Sequence, residues 1–330
     1  MNQHIKKNQG LICSYLLDEK GNAKSIGWEE VNSWKPQHGF LWVDIDFSDA
    51  HAKQWLEQKA NLSPIIVEAL LIKVSRPRSL AHENGLLVIS RSVNLMPGAK
   101  PDELISTRTW LEDQRIITVQ QYRSTSIHDM ETLIQNKKAP RNAGEFLSTM
   151  ISFMVDKIAD VIDDLVDRMD ELETKTVKQK TPSAVIQKNL ALIRRETIEL
   201  HRYLSPQRES LARLTTMESK FIKGNDKASI KEDMNRIMRF LEDLSALRER
   251  ALVTYEELTN QLAIQTNNRM YLLSLVAVLF LPLTFLTGLL GTNVGGIPGS
   301  HSPWGFAAVL TFIAIFFMIE LWLFRKKRWF

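Results

Sequence analysis

Residues 270–290 read MYLLSLVAVLFLPLTFLTGLL, 21 residues without a charge, and residues 305–324 read GFAAVLTFIAIFFMIELWLF, 20 residues with one charge, Glu320, near the end. At about 1.5 Å of rise per residue each stretch matches a hydrocarbon core about 30 Å thick, so both are expected to be membrane-spanning helices. Arg269 precedes the first, and Arg325, Lys326, Lys327 and Arg328 follow the second, whereas 291–303 contains no Lys or Arg. The positive-inside rule then places both chain ends in the cytoplasm and the short loop outside. Trp304, Trp322 and Trp329 fall near the expected interfaces, as aromatic belts do. An acid within a span is a candidate functional group. Glu320, however, is close enough to the basic cluster to be read as an interfacial carboxylate paired with Arg or Lys.

The first span is not uniformly apolar. Ser274, Ala277, Leu281, Thr284 and Gly288 follow at steps of three and four and so share one helical face, while Leu272, Leu275, Leu279, Leu283 and Leu286 lie on others. Small and hydroxyl-bearing residues on one stripe face something other than lipid: a wet path, or a helix packed closely through small residues. Pro282 removes one helical hydrogen bond and frees the carbonyl of Val278, which in hydrocarbon needs a partner or water.

Outside the spans the chain is densely charged. Of 42 basic and 38 acidic side chains, five and one respectively lie beyond residue 268, which leaves 37 of each before it. A neutral soluble part removes the electrostatic reason for a nucleic-acid partner. One cysteine, Cys13, can form neither an internal disulfide nor a thiolate zinc cluster, and reads as a small buried hydrophobe. Residues 1–10 lack the apolar core of a signal peptide, so the N-terminal part is expected to stay cytoplasmic.

Three long apolar stripes predict three long helices. Leu147, Ile151, Met154, Ile158, Val161, Leu165, Met169 and Leu172 form the first; Ile186, Leu190, Ile193, Thr197, Leu200 and Leu204 form the second. Thr181-Pro182 separates them, and Pro206 is expected to kink the second. The third runs through Ile230, Met234, Ile237, Leu241, Leu244, Ala251, Tyr255, Leu258 and Leu262, after a turn and cap at Gly224-Asn225-Asp226. No Gly or Pro occurs from 227 to 281, so this helix is expected to run into the first span.

Before residue 145 the pattern is α/β. Strands are expected at 11–17, 23–28, 40–46, 86–93, 105–111 and 115–120, and helices at 50–60, 64–73 and 125–135. The chain has no Gly-rich phosphate loop, nucleophile elbow or His-Glu zinc helix, so nothing points to an enzyme. Its seven histidines are scattered without ligand spacing. The expected domains are 1–142, a cytoplasmic α/β domain; 143–268, a long-helix stalk; 269–290, the first span; 291–303, the outward loop; 304–324, the second span; and 325–330, a basic cytoplasmic tail.

The segment Leu281-Pro282-Leu283-Thr284-Phe285-Leu286-Thr287-Gly288-Leu289-Leu290-Gly291-Thr292-Asn293 resembles the end of the first membrane helix of CorA-type cation transporters, which carry Gly-Met-Asn where this chain has Gly291-Thr292-Asn293. The continuation Val294-Gly295-Gly296-Ile297-Pro298-Gly299 is similar to the zinc-transporting ZntB branch, whose loop is glycine-rich and lacks an acidic cluster. Ser75-Arg76-Pro77-Arg78 and Arg202-Tyr203-Leu204-Ser205-Pro206-Gln207-Arg208 match as well. The resemblance implies a funnel-shaped homopentamer in the inner membrane. Five copies of the first span would line the pore with Ser274, Ala277, Leu281, Thr284 and Gly288, and Gly291, Thr292 and Asn293 would form the outer mouth. It implies zinc as the transported ion, proton-coupled uptake, and no tightly bound cofactor. Two helices alone cannot enclose a water-filled path, which argues independently for self-association in the bilayer. An amide ring at Asn293 can hydrogen-bond an ion's water shell without capturing the ion as carboxylates would. Alternatives are a magnesium or cobalt channel of the same type and, from another class, a membrane-anchored coiled-coil scaffold.

His301 is the one titratable group in the outward loop, and is either a first contact for Zn²⁺ or a plain polar loop residue. In the first case His301→Ala raises the half-saturating zinc concentration for uptake; an unchanged value assigns it the second role.

Overall fold

The computed structural model describes residues 9–18, 20–73, 76–94, 104–178, 184–292, 297 and 302–326. They fall into two compact units, Met1–Tyr255 and Glu256–Phe330. The first is built from β1 (Leu11–Leu17), β2 (Ala23–Ser25), α1 (Trp28–Ser33), β3 (Phe40–Asp46), α2 (Ala50–Gln58), α3 (Pro64–Leu71), β4 (Arg78–His82), β5 (Gly85–Val93), β6 (Leu104–Leu111), β7 (Arg115–Gln120), α4 (Thr125–Gln135), α5 (Ala143–Lys178), α6 (Ala184–Thr216) and the first part of α7 (Gly224–Leu290).

The seven strands form one sheet in the order β2-β1-β3-β7-β6-β5-β4. All neighbours are antiparallel except β3 and β7, whose parallel pairing needs a long crossover, supplied by everything from α2 to β6. The period of two along the strands sorts their side chains. Leu41, Val43, Ile45, Ile117 and Val119 join Trp55, Leu56, Ile66 and Leu70 of α2 and α3 in an apolar layer. Trp42 points the other way, its ring 5.0 Å from that of Phe146 on α5.

Two elements depart from expectation for tertiary reasons. The run 23–28 is strand only to Ser25; Trp28 opens α1 instead, its ring 5.2 Å from that of Trp55, while the Glu30 carboxylate accepts the Gly27 N–H at 2.8 Å. β4, which carries no apolar alternation, exists as the partner of β5. At the first residue of β5 a Cβ on Gly85 would lie 2.1 Å from the Trp110 ring, so only glycine fits.

The first two long stripes are buried throughout, and the Thr181-Pro182 break between α5 and α6 lies outside the described residues. α6 continues through Pro206 as a single helical element. Beside the proline, Gln207 accepts the Arg91 N–H at 2.9 Å and donates to the Arg91 carbonyl at 3.2 Å, bonding β5 as a further strand would. Tyr203 receives the guanidinium of Arg91 at 4.5 Å from its ring centre and that of Arg202 at 4.7 Å. The 202–208 motif is therefore a latch between α6 and β5.

α7 begins at Gly224, earlier than expected, because the Asp226 carboxylate reaches back to the Lys223 N–H. Its buried positions Ile230, Asp233, Ile237, Leu244, Leu247, Ala251, Thr254 and Leu258 recur at steps of three, four and seven, a coiled-coil seam that leaves Tyr255 and Leu262 exposed. Arg236 reaches Asp156 on α5 at 2.7 Å, and Arg250 reaches Glu173 and Asp170 on the same helix. Exposed pairs of this kind contribute about 0–1 kcal/mol each, so the seam dominates the packing and the ion pairs fix its register.

Against the apolar layer on one side of the sheet, the other side sets a polar cluster among buried apolar residues such as Leu86, Leu111 and Ile116. Asp44 is fully buried there, accepting from Thr118 Oγ1 and Gln120 Nε2, both at 2.6 Å. Cys13 of β1 and Glu131, Arg123 and His128 from α4 and its approach complete the surroundings. Burial pushes the Asp44 carboxyl up from 3.8 to about 7, the two donors opposing the shift and the Glu131 charge adding to it. Burial and the charges of Asp44 and Glu131 likewise push the Cys13 thiol up, in keeping with an unreactive side chain.

The fold thus binds a proton at Asp44 that the unfolded chain releases. Its stabilising contribution is full below 3.8 and is lost as the pH rises toward about 7. Thermal unfolding of the full-length protein between pH 4 and 8 is expected to show this loss, and Asp44→Asn, which mimics the neutral carboxyl, is expected to flatten it; an unaltered pH profile in the variant contradicts the assignment.

Candidate functional site

The second unit consists of the remainder of α7 and α8 (Gly305–Lys326). Both helices contain a stretch long and apolar enough to cross a membrane, and that stretch is almost wholly exposed. Leu281 is 70% exposed and Phe306 81%. Core helices of soluble proteins bury such residues, so these helices are built for lipid or for further chains.

The contact within the pair is small and specific. Leu275 and Leu279 of α7 pack on Phe324 of α8, with Phe317 and Leu321 alongside. At 100° per residue this face of α7 lies about 180° from the stripe 274, 277, 281, 284 and 288. The stripe is therefore turned away from α8: Ser274, Ala277, Leu281, Thr284 and Gly288 are all exposed, and a Cβ on Gly288 would meet nothing within 4 Å. Close packing of small residues within the hairpin does not account for the stripe, because the hairpin closes through leucines on the opposite side.

The chemistry of the stripe follows from its backbone bonds. The Thr284 hydroxyl donates to the Phe280 carbonyl at 2.8 Å, so its proton is engaged and its oxygen keeps two lone pairs to accept from an outside donor. α7 continues through Pro282 to Leu290, where the Gly291 N–H bonds the Thr287 carbonyl and the Thr292 hydroxyl donates to the Leu289 carbonyl, both at 2.9 Å. Asn293 and His301 lie outside the described residues, as do Val294, Gly295, Gly296, Pro298, Gly299 and the tail from Lys327. Among the described residues no three His, Cys, Asp or Glu side chains come together as metal ligands.

Among the described residues Glu320 has no ion pair and its Oε2 no hydrogen-bond partner, while Lys327 and Arg328 of the basic cluster lie outside them. Lys326, the expected kind of partner, places its ammonium 5.0 Å from the centre of the Trp322 ring instead. The leucine contact face of α7 was not legible in the sequence, since eight leucines of the span lie off the stripe and only the position of α8 selects Leu275 and Leu279.

The family described as CorA-like Mg2+ transporter protein matches residues 37–326. Relatives include the zinc transport protein ZntB of Pectobacterium carotovorum, 32% identical over 324 residues, 98% of this chain and 97% of that one. The divalent cation transporter CmaX of Pseudomonas aeruginosa is 32% identical over 324 residues, 97% of each chain. The solved structure of full-length CmaX superposes with a TM-score of 0.84 at 31% identity, covering 99% of this chain and all of that one. The CorA magnesium transporter of Methanocaldococcus jannaschii, at 18% identity, shares the fold with a TM-score of 0.81 over 96% of this chain and 98% of its own. With a family match across most of its length and relatives of this identity end to end, the chain belongs to the CorA-like Mg2+ transporter family.

Proposed function

We propose that this protein carries divalent cations, zinc in particular, across the inner membrane along the axis of a homopentamer whose wall is the stripe Ser274, Ala277, Leu281, Thr284 and Gly288. The observation that carries this reading is the exposure of the stripe on the side of α7 opposite its leucine contact with α8. In hydrocarbon such a face is poorly matched to lipid, and a ring of identical faces around an aqueous axis satisfies it. Free lone pairs, as at Thr284, suit the hydrogens of a hydrated ion's water shell, so the ion need not shed all its water.

The relatives ZntB, a zinc transport protein, and CmaX, a divalent cation transporter, support zinc and other divalent ions as cargo. Magnesium, named by the family description, is the competing cargo. The basic residues Arg269, Arg325 and Lys326 beside the spans support cytoplasmic ends and an outward loop. Gly291, Thr292 and Asn293 then form the outer mouth, where Asn293 supplies amide oxygens, and a proton gradient is the proposed driving force for uptake.

The purified protein in liposomes loaded with a zinc-sensitive dye is expected to pass zinc, faster under an inward proton gradient, and magnesium more slowly. Asn293→Ala is expected to abolish most of this flux with the oligomer intact; unimpaired flux removes Asn293 from the path. A Cβ at Gly288 meets nothing within 4 Å among the described residues, so Gly288→Leu is expected to leave folding unchanged yet to narrow the axis. A barrier raised by only about 1.4 kcal/mol cuts flux tenfold, and wild-type flux in this variant takes Gly288 off the wall.

A further inference from the structure

The Asp44 side of the sheet contains a cavity between β5, β6, α4 and α5 that the transport reading does not use. From the strands it is lined by Ser90, Ser92 and Thr107, from α4 by Ser124 and Ser126, and from α5 by Met150 and Met154. Each of these side chains is at least nine-tenths buried. Four of the hydroxyls, Ser92 Oγ, Thr107 Oγ1, Ser124 Oγ and Ser126 Oγ, are sealed from solvent and have no hydrogen-bond partner among the described residues. They approach from two strands and a helix, so they converge on one volume.

Ser124 makes the arrangement more pointed. It occupies the N-cap position of α4, where a serine hydroxyl ordinarily accepts an N–H of the first helical turn, yet it makes no such bond. Its own N–H is held by Gln120 Oε1 at 2.7 Å, which fixes the backbone and leaves the hydroxyl free to face the cavity. The α4 amino end therefore offers hydroxyls, with the positive end of its dipole, to whatever the strands' hydroxyls also contact.

We infer that this cavity is a binding site for one buried water molecule, which joins the amino end of α4 to β5 and β6 through Ser92, Thr107, Ser124 and Ser126. The free volume is about 10 Å³, room for one water. No acidic or basic side chain lines the cavity, and an ion sealed there would face a large desolvation cost with no countercharge. Hydroxyls both donate and accept, so four of them match the four hydrogen-bonding positions of a single water. Buried hydroxyls left unmade are costly, and a shared water removes that cost from all four at once. The methionines of α5 close the remaining side, which makes the water part of the seat on which the first long helix rests.

The sign of one substitution separates a hydrated site from orphan hydroxyls. Thr107→Val keeps the shape and deletes the hydroxyl. If a water is held, the variant strips it of a partner and lowers the melting temperature of the full-length protein in detergent by about 2–4 °C, while Thr107→Ser, which retains the hydroxyl, keeps the water. If the hydroxyls are orphans, Thr107→Val raises the melting temperature, and the inference fails. A high-resolution map is expected to show one density within hydrogen-bonding distance of at least three of the four oxygens. Hydroxyls bonded directly to one another, or a density replaced by bromide on exchange of the buffer anion, overturns the assignment to water.

Discussion

Leu275 and Leu279 can pack on Phe324 of α8 only by turning the opposite side of α7 outward, and that side carries the serine, threonine and glycine of the first span. In water the choice would matter little. In a bilayer it matters a great deal, because lipid offers hydroxyls and a proline-interrupted backbone nothing to bond, and two helices cannot enclose water between them. On the proposed reading, other copies of the chain cover what remains, and self-association, an axial path and a weakly polar wall all follow from one packing decision.

The first unit shows how a sheet can carry two different interiors. Leu41, Val43 and Ile45 build an ordinary apolar core with α2 and α3, while Trp42 and Asp44, one residue out of phase, face a layer of hydroxyls, amides and a carboxylate. Polar groups buried together are costly unless each finds a partner, and most do: Trp42 bonds Thr118, Thr118 bonds Asp44, and Gln120 joins Asp44 to the start of α4. Such networks specify one arrangement of strands and helices more sharply than greasy contacts can.

Much of this was legible from residue order. The spans, the three long helices and five of the strands follow from periodicity, and the stripe of the first span from steps of three and four. What escaped depended on distant partners. β4 is a strand because β5 offers it an edge, and Trp28 is helical because Trp55 receives its ring. The 202–208 motif could be recognised but not interpreted until Gln207 was seen to bond both backbone groups of Arg91, 116 positions away. No local pattern encodes a contact of that separation.

The water accessibility of single cysteines tests the central claim most directly, since thiol reagents attack the thiolate and the thiolate needs water. In a Cys13→Ala background, the account predicts that Ala277→Cys, Thr284→Cys and Gly288→Cys in membranes react readily with a small water-soluble thiol reagent. Leu275→Cys, Leu279→Cys and the exposed Val276→Cys, which lies off both faces, are predicted to stay protected. Protection of the three stripe positions equal to that of Val276→Cys would contradict the account, because the stripe would then be in lipid or sealed against another helix.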